Sequence, residues 1–211
     1  VVPKLDPNTN RVVTEGVELM ESPFDLNAVE AGLKLVEENG GEVSVLTLGG
    51  ESAKTSLRYG LSMGAAKAYL LKDPAFEESD SWGTSYGLAK AIQSIGNFDV
   101  ILCGKQAIDG DTGQTAPSIA EHLDMIRLTY IMSMEIEGDK VIAKRQVEEG
   151  VEIIEASLPV LCTATKESNK PRYATIKGVL TSLKAEIGEI TLASLPGSDT
   201  TKMGLKGSPT K

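Results

Sequence analysis

The chain is poor in the residues that most often carry side-chain chemistry. Among 211 residues there are one histidine, one tryptophan, two cysteines and only 4% aromatics. Any Ser/His or Cys/His nucleophile would have to use His122, which falls on a helix behind a polar loop, where an ordinary surface or interface histidine is the plainer reading. Cys103 and Cys162 lie in apolar, strand-like runs without metal-ligand spacing and read as small buried residues of a reducing compartment. No apolar run approaches the roughly 20 residues of a membrane-spanning helix and no secretory signal opens the chain, so a cytoplasmic protein without a membrane span is the expectation. Lysine and arginine number 21 against 30 aspartates and glutamates, a net charge of -9 that argues against a nucleic-acid surface. The phosphate-loop fingerprints GxGxxG and GxxxxGK[ST] are both missing. Asp109 and Asp111 lack the further oxygens of a calcium loop, so no metal is expected. No acid/base pair with defensible roles is found, which points to a holder of a cofactor rather than a carrier of catalytic side chains.

What the chain does have is a strand, a small-residue loop and a helix start over residues 99–123, DVILCGKQAIDGDTGQTAPSIAEHL. Val100 to Cys103 read as a buried strand, and Pro117 is tolerated in the first helical turn, where its missing amide has no intrahelical partner anyway. Such a junction offers backbone N–H groups at a positive helix end and suits phosphates, although an ordinary strand-to-helix turn would look similar. The loop crowds Lys105, Gln106, Asp109, Asp111, Thr112 and Gln114 into ten residues where a plain connection needs about two to six.

Upstream, Ser22-Pro23-Phe24-Asp25 precedes a predicted helix over 26–38, with Ser22 or Asp25 as its cap. A strand over 42–48 leads through Gly49-Gly50-Glu51-Ser52 into a helix ending at Met63, a second phosphate-friendly corner. A strand over 67–71 and a helix over 82–95 complete an alternation that implies a parallel sheet with its ligand beyond the strand carboxyl ends. Residues 1–17 read as a small hairpin or extended arm, 131–157 as antiparallel strands with tight turns, and 158–164 as a buried strand. Residues 165–175, TKESNKPRYAT, form the most basic window of an acidic chain; such a window is more often a solvated face than a docking loop. From residue 192 the composition turns to Gly, Ser, Pro and Lys, an arm or tail with no core of its own. The expected fold class is thus α/β: a parallel-sheet domain over 1–191 with an added antiparallel hairpin region and an extended C-terminal arm over 192–211.

GKQAIDGDTGQT, the upstream SPFD, LRYGLSMGA after the Gly-Gly turn and NKPRYATIKG together resemble the beta subunit of electron-transfer flavoproteins, in the same order along nearly the whole chain. The resemblance implies that the domain is a Rossmann-like, adenine-nucleotide-binding one, in a heterodimer with an alpha subunit that carries the electron-transferring FAD. It also implies an adenine nucleotide held at Ser22, Pro23, Phe24, Asp25, Leu48, Val100, Cys103, Gly104, Lys105, Gln106, Ala107, Asp109, Gly110, Asp111, Thr112, Gly113, Gln114 and Thr115. In ordinary members that nucleotide is a structural AMP. In electron-bifurcating members of anaerobic metabolism it is a second FAD that takes hydride from NADH, sending one electron to ferredoxin or flavodoxin and one to a flavin dehydrogenase. The segment DPAFEESDSWGTSYGLAKAI is similar to the bifurcating type and favours FAD, with NADH approaching Gly49, Gly50 and Glu51. The window at Lys166, Glu167, Ser168, Asn169 and Lys170 matches the family's docking loop, with Ser168 at the place given to an exposed leucine in mitochondrial members. The dehydrogenase could be of the lactate, acyl-CoA or enoyl-CoA type. A further strand before Val1 and a longer closing arm are family features outside this sequence.

Overall fold

Short apolar runs bounded by glycine and polar turns set the strands, and amphipathic segments between them set the helices. The computed structural model describes residues 20–108 and 110–210; the expected N-terminal hairpin and Asp109 lie outside them. The elements are α1 (Pro23–Asn39), β1 (Ser44–Leu48), α2 (Lys54–Met63), β2 (Lys67–Leu71), α3 (Ser81–Ile95), β3 (Val100–Gly104) and α4 (Thr115–Leu123). They continue with β4 (Ile126–Glu137), β5 (Lys140–Val147), β6 (Gly150–Ser157), β7 (Val160–Ala164), α5 (Ile176–Lys184), β8 (Gly188–Ile190) and α6 (Gly204–Gly207). α1 opens on Pro23, three residues before the expected start, because the Ser22 carbonyl accepts the amides of Asp25 (3.0 Å) and Leu26 (3.1 Å). It stops at Gly40, whose φ of 79° no helix continues. α3 is capped by the Asp80 carboxylate, which accepts the amides of Trp82 (2.9 Å) and Gly83 (3.1 Å).

The parallel strands fall into two hydrogen-bonded groups among the described residues. β1, β2 and β8 form one, in that order; the other runs β3-β7-β4-β5-β6. In the larger group β3, β7 and the first part of β4 are parallel, while β4, β5 and β6 are antiparallel. β7 sits between β3 and β4 with all five residues buried, as a continuous apolar run demands of a central strand. α1 bridges the two groups: the position a Cβ would take on Gly32 lies 3.4 Å from Leu102 and 3.5 Å from Val43. Among the described residues no helix is long and apolar enough to cross a membrane.

The segment from Leu192 is laid back along α3. Leu195 and Met203 enter the core beside Phe76, Tyr86 and Ile190. Ser208 Oγ accepts the Asp80 amide at 2.8 Å, and the Thr210 amide donates to Asp80 at 3.0 Å. Its composition gave little sign of this, because two apolar side chains and a few hydrogen bonds to Ser79, Asp80 and Tyr86 do the anchoring.

Candidate nucleotide site

The parallel order puts the carboxyl ends of β3 and β7 side by side, and the α1 N-terminus is packed onto the end of β3. Gly104 closes β3 without a side chain, and the contact depends on that: a Cβ there would lie 2.7 Å from Asp25 Oδ1, 2.8 Å from the Asp25 amide and 2.8 Å from the Phe24 carbonyl carbon. The Gly104 amide donates to Asp25 Oδ1 at 2.8 Å. Asp25 as a residue keeps an exposed edge, but its carboxylate rests against β3; burial raises its pKa, and the Gly104 hydrogen bond offsets part of that. Lys105 follows, its amide on the Ala164 carbonyl (3.0 Å) and its Nζ 4.9 Å from the centre of the Phe24 ring.

The loop then folds on itself. Gln106 Nε2 donates to the Asp111 carboxylate, and the Asp111 amide donates to the Ala107 carbonyl at 3.0 Å. Asp111 (φ 51°) and Gly113 (φ 61°) are both left-handed, which turns the chain into α4. The Gln114 amide lies 3.4 Å from Thr112 Oγ1, and Thr115 begins the helix. Gly110 stands with open space where a Cβ would go. Ser22 Oγ is buried beside the α1 N-terminus with no partner among the described residues, and it makes no side-chain cap. A buried hydroxyl in want of a partner, next to a seventeen-residue helix end, suits the hydroxyl or phosphate oxygens of a nucleotide.

Ser22 to Asp25 and Gly104 to Thr115 are therefore brought together, save Asp109, which lies outside the described residues. Three other predicted residues pack against the core. Val100 is at the start of β3, about 13 Å from its end, and packs with Leu128 and Val160. Cys103 packs with Ala89 and Ile119, and Leu48 with Leu71 and Phe76. Burial pushes the Cys103 and Cys162 thiols up to about 12, with the Asp25 carboxylate adding to the shift of Cys103, which disfavours the thiolate of both. His122 is wedged between Trp82 (4.7 Å) and Tyr86 (5.4 Å); burial, and then the nearby Lys202, lower its pKa. It joins α3 to α4.

At the end of β1 the Gly49 amide donates to the Leu71 carbonyl (3.1 Å). Glu51 is gripped by Lys72 (2.5 Å) and Lys54 (2.9 Å), whose hydrogen bonds lower its pKa to about 2. Lys54 also reaches Glu189 of β8 at 2.5 Å.

The basic window is braced on α1. Asn27 Nδ2 donates to the Asn169 carbonyl (2.8 Å) and side-chain oxygen (3.0 Å), and Asn169 Nδ2 returns a bond to the Asn27 carbonyl (2.9 Å). Arg172 grips Glu30 through Nε (2.7 Å), Nη2 (3.1 Å) and its own amide (3.1 Å), and Glu37 through Nη1 (2.5 Å). Ser168 Oγ is turned inward onto the Thr165 carbonyl at 2.7 Å. Ser168 and Asn169 thus hold the loop in shape, while Lys166 stays 75% exposed with Glu167 3.8 Å away, and Lys170 is exposed. The exposed apolar side chains come just after: Tyr173, and Ile176, Leu180 and Leu183 on α5. The sequence reading missed this face, although the i, i+4, i+7 spacing of those three in a helix carried the signal. It also missed Glu30 and Asn27, which look like ordinary helix-surface residues.

Comparison with known proteins fits this geometry. The family model described as the electron transfer flavoprotein domain matches residues 9–195. The electron transfer flavoprotein subunit beta of Thermoanaerobacterium thermosaccharolyticum is 46% identical over 99% of this chain and 80% of its own length. The caffeyl-CoA reductase-Etf complex subunit CarD of Acetobacterium woodii is 43% identical over 99% of this chain and 79% of its own. Protein FixA of Azorhizobium caulinodans is 39% identical over 98% and 76%. With one contiguous match covering most of the residues, and beta subunits among its relatives, the chain belongs to the electron transfer flavoprotein family as a beta subunit.

Proposed function

We propose that this chain is the nucleotide-holding beta subunit of a heterodimeric electron transfer flavoprotein and that the nucleotide is FAD. In this reading the subunit takes electrons from NADH and divides them between ferredoxin or flavodoxin and, through the FAD of the alpha subunit, a flavin dehydrogenase. The observation that carries the nucleotide assignment is the seam between α1 and β3, where Asp25 is tied to Gly104 beside the buried Ser22 hydroxyl, which has no partner among the described residues. Ser22, Gly104 to Gln106 and Gly110 to Thr115 would hold the nucleotide through hydroxyls and backbone amides. Bound FAD would supply hydride and electron acceptance, which no side chain of this chain provides. The choice of FAD over AMP is supported by the resemblance of residues 73–92 to bifurcating members and by the open space at Gly110.

Docking of the dehydrogenase falls to the braced loop and the α5 face that continues it. Ile176, Leu180 and Leu183 form an apolar stripe on α5 that Lys177 and Lys184 flank, which favours a partner with apolar side chains beside carboxylates. NADH would approach by Gly49, Gly50 and Glu51, where a carboxylate already neutralised by two lysines repels little.

The deciding experiment is to purify the heterodimer, release its nucleotides and count them. Two FAD per heterodimer, together with flavin bleaching by NADH, is the expected result. One FAD with one AMP, and no bleaching by NADH, would replace this reading with that of a structural AMP.

A further inference from the structure

Tyr130 combines a strained backbone with an exposed ring. Its φ is 59°, a conformation in which a bulky side chain is a genuine outlier. The strain sits at a break in pairing: Leu128 pairs with Cys162 and Ile131 with Ala164, so two residues of β4 face the single Thr163 of β7. The break is held from both sides. Thr163 Oγ1, in a residue 2% exposed, accepts the Tyr130 amide at 2.9 Å, and the Thr165 amide donates to the Ile131 carbonyl at 3.2 Å.

For the backbone alone, glycine or asparagine would serve this position better, yet the chain spends a tyrosine there and leaves it 44% exposed. The break lies where β4 leaves the carboxyl edge it shares with β7 and β3, the edge beyond which ligands of parallel strands sit. The Tyr130 hydroxyl lies 3.9 Å from where a Cβ of Gly113 would be, so the phenol stands against the loop that follows β3. Two left-handed residues, one without a side chain and one with a large aromatic one, thus meet at the mouth.

We propose that Tyr130 is a ligand-contacting residue of the nucleotide site, its ring forming the wall against which a planar heteroaromatic ring of the bound nucleotide lies. This rests on the reading of the site as nucleotide-binding. Adenine and isoalloxazine share the required chemistry, a flat π-face, and a test can separate them.

The test compares three variants of the purified heterodimer for nucleotide content, nucleotide release rate, flavin fluorescence and melting temperature. Y130G removes the ring and relieves the strain, Y130L removes the ring and keeps the strain, and Y130F keeps the ring. Y130G should melt at or above the wild-type temperature yet release nucleotide about 10-fold faster, a loss that Y130L shares. Y130F should hold it as wild type does. Flavin fluorescence that rises in Y130G and Y130L identifies isoalloxazine as the stacked ring; faster release with unchanged fluorescence identifies adenine. Wild-type retention in both Y130G and Y130L overturns the proposal while leaving the site intact. A wild-type heterodimer with no nucleotide beyond the alpha-subunit FAD overturns the site reading itself, and this inference with it.

Discussion

At the scale of single residues, two glycines of the same loop differ in what they tolerate. Gly113 is left-handed, whereas Gly110 has open space at its Cβ position. Gly113→Val should therefore loosen the nucleotide loop and cost about 1–2 kcal/mol of stability, and Gly110→Val should cost little, as thermal unfolding of both variants would show. Gly104→Ala is the harsher change, because its Cβ meets the Phe24 and Asp25 backbone rather than a flexible tip. It should cost about 1–3 kcal/mol and release the nucleotide, measurable as a lower urea midpoint with altered nucleotide content. The loop's polarity and its glycines were legible in the sequence. The neighbours of each glycine were not, since only the docking of α1 on β3 separates a required absence of a side chain from an incidental one.

Between elements, the fastening of residues 165–175 to α1 is the strongest polar contact described. Burial alone would raise the pKa of Glu30, but the hydrogen bonds and charge of Arg172 outweigh it and hold the carboxyl below its usual value; Glu37 is held down by Arg172 as well. A carboxyl lowered in the folded state lends stability above its unfolded pKa of about 4.3. That contribution is lost as pH falls below it towards the folded value. Arg172→Ala leaves the buried Glu30 unpaired and should cost about 2–3 kcal/mol near pH 7, discounted from a fully buried pair because Arg172 is 33% exposed. Urea midpoints of wild type and variant should draw together as pH falls from about 4.3 towards the lowered folded value, through which protonation removes the pair. The long elements, α1, α3 and the β4 to β6 strands, announced themselves by periodicity and turns. α5 and β8 did not, because nine helical and three strand residues carry little pattern of their own and take their place by packing on α2 and β2. Likewise Asn27, Glu30 and Arg172 come together over 142 positions or more of chain, a separation that no local pattern spans.

For the whole molecule, the two proposed activities lie at different places on one helix: the nucleotide at the N-terminus of α1, the docking loop along its side. They are separable by mutation. Leu180→Asp on the exposed face of α5 should raise the KM for the partner dehydrogenase about 10-fold while nucleotide content and NADH bleaching stay as in wild type, which steady-state kinetics with the heterodimer would check. The clamp of Asn27, Glu30 and Arg172 also bears on how long such a complex needs to last. A loop that is already in shape when the partner arrives loses little freedom on contact, so recognition does not have to be bought with a large, slowly dissociating interface. For an electron carrier that must let go after each delivery, selectivity and brevity then become compatible: the right partner is told from the wrong one by a surface set in advance, and each visit can be short.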